Sequence, residues 1–358
     1  LGFFLSSGVD SSLLAAITNK HFKGRPFDFF TVAFDQKTIS DESDMALDYL
    51  NGFKNPDLRH HKLTINPQFV ASKFDSMYNY VDEPFGDPAT LLNWSISEKA
   101  REHATVVLSG DGADEMFWGY PRYNQWRVEM RRPYKKIPYL KSLASFLSHF
   151  PEGPVKYSLL NMLDDDPVDT YFNLIRPRLF GFLPRVSHQD NLWCLKGIAS
   201  VKHRNDLVEL LDVKAYLADA MLYKVDRASM ASSLEVRVPF LDNRVIDYAL
   251  TLPLSSKSTP EYHTKAPLKK LLHQLAPHYD LTLPKKGFNF PLEYWLRNEW
   301  RDRVLSTITK ENLEAVGLPA SPYINIVNRF YADGLNAANE VWYLLNLIQW
   351  HQHAKSFK

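Results

Sequence analysis

Two short stretches carry residue types that could act on a phosphate. In Ser109-Gly110-Asp111-Gly112-Ala113-Asp114-Glu115, glycines and clustered acids follow an apolar run. Carboxylates this close repel one another unless something cationic sits among them, and hard oxygen ligands beside phosphates suit Mg²⁺. The bland alternative is a solvated acidic turn. In Leu5-Ser6-Ser7-Gly8-Val9-Asp10-Ser11-Ser12, small hydroxyl and glycine residues separate Leu1, Phe3, Phe4 and Leu5 from the run Ser12-Leu13-Leu14-Ala15-Ala16-Ile17. A strand, a tight loop and a helix N-terminus aim backbone N–H groups and a helix dipole at an anion. A serine-rich turn before a helix can equally be a plain cap. The loop has no Gly-Lys pair and no G-x-G-x-x-G, so neither common nucleotide fingerprint applies.

The elements that must position these stretches alternate between strand and helix over residues 1–125. Phe27–Phe34 is rich in aromatic and β-branched residues and predicts a strand. Ser40-Asp41-Glu42-Ser43 caps a helix with Met45, Ala46, Tyr49 and Leu50 on one face. His61–Ile65 predicts a third strand, Pro67–Tyr80 and Leu91–His103 predict helices, and Thr105–Leu108 a further strand. Near-continuous apolar strands alternating with helices indicate an α/β fold with a doubly wound, mainly parallel sheet. Ligands bind beyond the carboxyl ends of such strands. The ends at Ser6, Asp35 and Ser109 are therefore candidates for one shared pocket.

From about Trp126 strand signals fade and aromatic-rich helical segments take over, broken at Pro133, Pro151, Pro154, Pro167 and Pro177. Helices are expected over 204–222, 242–251, 265–275, 291–305 and 337–353. Residues 126–358 read as a large helical C-terminal lobe closing over the 1–125 core, not as a domain on a linker.

Composition narrows the function. The chain's 358 residues suffice for a large core, and Lys+Arg 42 against Asp+Glu 41 leaves no basic field for nucleic acid. The single cysteine, Cys194, forms no intrachain disulfide and suggests a reducing compartment. No apolar run approaches a membrane span and no signal segment opens the chain. A cytoplasmic enzyme without nucleic-acid or membrane partners is expected. His60-His61, His351 and His353 show no metal-ligand spacing. Because Leu1 stands where a Met would, directly before the first strand, the chain is expected to be part of a longer protein.

The Ser6–Ser12 loop resembles the S-G-G-x-D-S loop of the ATP pyrophosphatases, which split ATP between its α- and β-phosphates. Ser109–Tyr120 closely resembles the S-G-D/E-G-x-D-E-x-F-x-G-Y signature of the asparagine synthetase (glutamine-hydrolysing) family. Other blocks match that family in order: Tyr80-Val81-Asp82-Glu83-Pro84-Phe85, the run Lys224–Asp242, and Pro284-Lys285-Lys286-Gly287-Phe288 with Pro291 and Trp295. Val341–Asn346 with Trp350 matches the family's closing helix. The resemblance spans essentially the whole chain and implies an adenine nucleotide α-hydrolase type of fold.

It further implies that a substrate carboxylate, aspartate in the name-giving enzyme, attacks the α-phosphate of ATP. The products would be an acyl-adenylate and pyrophosphate, and ammonia would then displace AMP to give an amide. On this mapping Leu5, Ser6, Ser7, Gly8, Val9, Asp10 and Ser11 bind the nucleotide, with Val32, Ser109 and Gly110. Leu5 and Val32 flank adenine and ribose, and glycine at 110 permits close approach. Asp10 and Asp114 would hold Mg²⁺, Asp111 would serve adenylate formation, and Lys285 would stabilise the transferring phosphoryl group. Lys286 is the fallback if the register shifts by one.

Asp226, Arg227, Glu235, Arg237 and Asp242 are expected either in the pocket or in a buried ion-pair network, with the structural role favoured for Asp226 and Asp242. Ser7 stands where the family most often has a second glycine, which is tolerable if its φ stays negative. Complete family members carry an N-terminal glutaminase domain whose first residue is a cysteine. Cys194 lies too deep in the chain for that role, so this chain is expected to use free ammonia; a homodimer is possible. The rival readings are a relative that amidates a cell-envelope sugar acid, closes a β-lactam ring or cyclises a peptide; a non-catalytic nucleotide-binding paralogue; and a tRNA-modifying pyrophosphatase. Joint retention of Asp10, Asp111, Asp114 and Lys285 argues against the paralogue, and the neutral charge disfavours the tRNA enzyme.

Overall fold

The computed structural model of the chain describes residues 1–34, 43–131, 146, 167–175, 204–282 and 291–356. Within these, β1 (Gly2–Phe4), β2 (Phe27–Phe34), β3 (Leu58–Ile65), β4 (Val106–Leu108) and β5 (Glu235–Arg237) form a five-stranded sheet in the order β3-β2-β1-β4-β5. Every pairing is parallel. The chain builds outward from β1 to β3, then returns to lay β4 on the other side of β1. This reversal between β1 and β4 opens a crevice at their carboxyl ends, where the loops starting at Ser6 and Ser109 emerge.

The two-residue period of β2 sorts its aromatics onto opposite faces. Phe27 and Phe29 join a core with Phe3, Leu13, Leu14 and Leu58, built on α1 (Val9–His21) and α2 (Ser43–Asn51). Phe30, Val32 and Phe34 face a second core on α3 (Pro67–Met77) and α4 (Ala89–Arg101), which also takes in Trp295, Trp300 and Trp342. Late helices thus share the core of the early ones. A third cluster, Trp118, Tyr123, Trp126, Tyr171, Leu207, Val208 and Leu211, joins α6 (Pro121–Arg131), α7 (Pro167–Ile175) and α8 (Arg204–Leu211).

Several elements differ from the sequence expectation. β3 begins at Leu58, because β2 pairs with it along its whole length from Phe27↔Leu58 to Phe34↔Ile65. The expected 204–222 helix is α-helical only to Leu211 and then π-helical over Asp212–Leu222, continuing as α9 (Tyr223–Met230). The expected 291–305 helix breaks into α13 (Leu292–Arg297) and α14 (Arg301–Thr307). β5 was not anticipated, since two of its three residues are charged and exposed. The remaining helices are α5 (Ala113–Met116), α10 (Asn243–Thr251), α11 (Leu254–Lys257), α12 (Ala266–Leu275), α15 (Lys310–Ala315), α16 (Ala320–Ala332) and α17 (Ala338–Lys355). The strand end at Asp35, the cap at Ser40–Glu42, Cys194, Lys285 and Lys286 lie outside the described residues. Among the described residues no helix is long and apolar enough to cross a membrane.

Helix α17 is anchored on the Asp-Glu-Pro segment. The Trp342 indole donates to the Gly86 carbonyl at 2.8 Å and the Asn346 amide to that of Phe85 at 3.0 Å. Trp342 is fully buried against Phe74 and Trp300. Trp342→Ala is expected to cost about 3–5 kcal/mol in urea unfolding, from lost transfer energy and an unfilled cavity. A loss under about 1 kcal/mol would show that this contact does not hold the C-terminal helix.

Candidate active site

The crevice holds a cavity of about 500 Å³. Leu5, Ser6, Ser7, Gly8, Val9, Asp10 and Ser11 line it from β1, and Ser109, Gly110, Asp111 and Asp114 line it from β4. The two loops touch: a Cβ on Gly110 would lie 2.9 Å from the Asp10 Cβ, so only glycine allows this approach without displacement. Val32 is not among the lining residues; it packs into the second core from β2.

Hydroxyls fix the first loop. The Ser6 backbone N–H donates to Ser11 Oγ at 3.1 Å, and that of Gly8 to Ser6 Oγ at 3.1 Å. Ser11 Oγ donates in turn to the Ser6 carbonyl at 3.2 Å. From outside, the Tyr279 hydroxyl donates to the Ser7 carbonyl at 2.7 Å, and the Tyr49 hydroxyl to that of Ser12 at 2.7 Å. Ser7 is not among the residues with positive φ, so its side chain is accommodated without backbone strain. In the second loop Ser109 Oγ donates to Asp111 Oδ2 at 2.6 Å, and Gly112, at φ 87°, turns the chain into α5.

A residue that sequence reasoning passed over stands at the centre. Lys265 Nζ lies 2.6 Å from Asp10 Oδ2 and 2.8 Å from Asp114 Oδ1, with its side chain 5% exposed. Burial pulls its pKa down, but Asp10 and Asp114 more than offset that and hold it up at about 12. Lys265 itself takes a left-handed φ of 53° immediately before α12, its N–H donating to the Phe117 carbonyl at 3.1 Å. One signal was available: a lysine at a helix N-terminus opposes the helix dipole and calls for anions nearby.

A second buried ammonium, Lys224, lines the same cavity and pairs with Asp87 at 2.7 Å. Burial lowers its pKa, while Asp87 and Asp111 raise it to a net upward shift. Glu115 also lines the cavity, accepting from the Tyr120 hydroxyl at 2.8 Å. Burial pushes its pKa up to about 7, and the Tyr120 bond only partly counters this. A carboxyl whose folded pKa is raised contributes stability that is fully present below about pH 4.5 and lost as pH rises through about 7. Glu115→Gln is therefore expected to stabilise the ligand-free protein at pH 8 by up to about 3 kcal/mol, with the gain vanishing toward pH 5. Urea midpoints at the two pH values check this, and a pH-independent gain would contradict it.

The expected buried network around Asp226 and Asp242 is instead a set of surface groups, none lining the cavity. Asp226 is exposed. Arg227 pairs with Asp82 at 3.2 Å, and Arg237 with its strand neighbour Glu235 at 2.7 Å on the sheet edge. Asp242 caps α10, accepting from the Arg244 N–H at 3.0 Å. Solvent screens such pairs, so each contributes little. Among the described residues, buried ion pairs outside the cavity lining include Arg122–Asp212 and Lys257–Glu209. His60 and His61 bond along β3 to Thr31 and Asp28.

A parallel sheet whose switch point carries a serine–glycine loop followed by an acid-rich second loop defines an α/β domain of the PP-loop type. Residues 1–352 match the family model described as asparagine synthase, and the chain belongs to that family. It is 28% identical over 98% of its length to Asparagine synthetase [glutamine-hydrolyzing] 1 of Bacillus subtilis, covering 56% of that protein. It is 30% identical over 98% of its length to a putative asparagine synthetase [glutamine-hydrolyzing] of Mycobacterium bovis, covering 54% of it. It is also 22% identical to Amidase chyE of Penicillium rubens, over 88% of this chain and 53% of that one. The chain thus spans about half the length of these relatives. Membership supports ATP-dependent amidation by a carbon–nitrogen ligase in general terms.

Proposed function

We propose that this chain is the synthetase part of an ATP-dependent, AMP-forming amide synthetase whose acid substrate is aspartate. The observation that carries the reading is the convergence of Asp10, Lys265 and Asp114 on one point beside the serine loop, with Asp111 in the same cavity. A carboxylate oxygen of the acid attacks the α-phosphorus, the bond to the bridging oxygen of the β-phosphate breaks, and pyrophosphate leaves. Ammonia then attacks the acyl carbon, AMP leaves with the bonding pair, and a base takes the excess proton. In the relatives' names glutamine is hydrolysed, so a glutaminase part of the full protein would supply that ammonia.

The chain's own groups meet these needs. Loop N–H groups and the N-terminus of α1 receive the departing pyrophosphate, and Lys265 adds a full positive charge. Leu5 would flank the adenine and ribose. Asp111, fixed by Ser109, orients the acid or accepts the amine proton. Lys285 holds its role by family resemblance. Asp10 and Asp114 fit Mg²⁺, since their oxygens already converge on one cation and are the hard donors it takes. When bound there, the ion would neutralise phosphate charge.

The test is to incubate the intact protein with Mg-ATP, ammonium and a panel of carboxylic acids. Aspartate-dependent pyrophosphate, AMP and asparagine are expected. Release of ADP and phosphate would overturn the mechanism. The amidase-named relative favours a second reading, another acid in the same chemistry, which pyrophosphate released only with that acid would establish.

A further inference from the structure

Behind one wall of the cavity lies a buried ion pair, neither partner of which is among the lining residues. Asp212 is fully buried and accepts from Arg122 Nη2 at 2.7 Å and from the hydroxyls of Tyr123 and Tyr171. The Arg122 guanidinium carbon sits 3.6 Å from the Tyr120 ring centroid and 4.2 Å from that of Tyr216. Those two rings meet edge to face, 5.9 Å apart at 89°, and both line the cavity. Tyr120 in turn reaches Glu115. Asp212 and Tyr216 share the π-helical segment, whose i→i+5 turns bring residues four and five apart toward the same side. Such segments are frequent at functional sites.

A flat guanidinium against two rings fixes more than a point charge would, because stacking and the hydrogen bond set both the plane and its rotation. A buried carboxylate with three donors has little freedom to move. The tyrosine wall is therefore held from behind, and Tyr216 lies within electrostatic reach of Lys224, a buried ammonium in the same cavity that suits a substrate carboxylate.

We infer that the Arg122–Asp212 pair is a positioning device that sets the acid-substrate wall through Tyr120 and Tyr216, and so governs which carboxylic acid is adenylated. This rests on the amide-synthetase reading above. Neither Arg122 nor Asp212 lines the cavity, so the pair acts through the two rings.

The test compares the intact protein with Arg122→Met and Arg122→Lys, measuring pyrophosphate release with Mg-ATP, ammonium and aspartate, glutamate or succinate as probe acids. Binding of a fluorescent ATP analogue and thermal unfolding are followed in parallel. Arg122→Met is expected to raise KM for aspartate about tenfold and to erode the preference for aspartate over glutamate by a similar factor, as misplacement of a positioning wall does. Its kcat and ATP-analogue affinity should stay within about twofold of the wild type. Arg122→Lys, which keeps the charge but not the flat face, should fall between. If Arg122→Met fails to fold, Tyr216→Leu must show the same KM shift. An unmoved KM with only a lowered melting temperature, or a parallel loss of aspartate and ATP affinity, would overturn the inference. A wild-type protein that releases no pyrophosphate with any acid refutes the amide-synthetase reading and this inference with it. An active wild type with unmoved KM in the variants refutes the inference alone.

Discussion

Lys265→Met is expected to slow pyrophosphate release on the order of 10²–10³-fold, the effect of removing one preorganised charge from a site of this kind. The same substitution leaves Asp10 and Asp114 facing each other, each carboxylate 19% exposed, without the ammonium between them. Breaking a buried pair by deleting one partner costs about 3–5 kcal/mol, discounted here because both carboxylates keep some solvent. The ligand-free variant should melt below the wild type. Added Mg²⁺ should recover more of that loss in the variant than in the wild type, because a ligand that binds only the folded state stabilises it. Steady-state pyrophosphate assays and melting curves with and without Mg²⁺ check both parts. Full activity in Lys265→Met would make the lysine a structural counter-ion only.

The second large effect is expected at Asp111. Asparagine keeps an acceptor for the Ser109 hydroxyl, whose bond to the carboxylate is 2.6 Å long, so the loop should hold its shape while losing the charge. Asp111→Asn should reduce adenylate formation about 10²-fold or more while changing ATP affinity only slightly, the pattern of an interaction made in the transition state. Exchange of labelled pyrophosphate into ATP reads the first quantity and direct nucleotide binding the second. Equal losses in both would make Asp111 a binding residue.

What could be read in the sequence was local. Strand β2 was legible to its ends because eight consecutive aromatic, β-branched and apolar-flanked positions have no helical reading. The serine loop and the acidic loop were legible as strand ends, because glycines and hydroxyls after an apolar run mark where a strand stops; their residues alone left each open to a plain cap or a solvated turn. Lys265 was not, because its meaning comes from Asp10, 255 positions away, and no local pattern records such a distance. The charged residues 226–242 misled for the complementary reason: density of charge in a motif says nothing of burial, and Asp226 on α9, the edge strand and the helix cap all face solvent. Arg122 and Asp212, 90 positions apart, were hidden the same way. The π-helical stretch has the same composition as an α-helix, and its register is set by what it packs against.

The bonds from Trp342 and Asn346 to the carbonyls of Gly86 and Phe85 have a consequence for synthesis of the protein. The next residue, Asp87, supplies the partner of Lys224 in the cavity wall. That wall therefore waits on residues made more than 250 positions later. Chains stalled on the ribosome before residue 342 lack these two bonds and are expected to bind ATP poorly and to be cut by protease near residue 86. Docking of the Ala338–Lys355 helix is thus expected to be the step that fixes the cavity wall shared by Asp87 and Lys224.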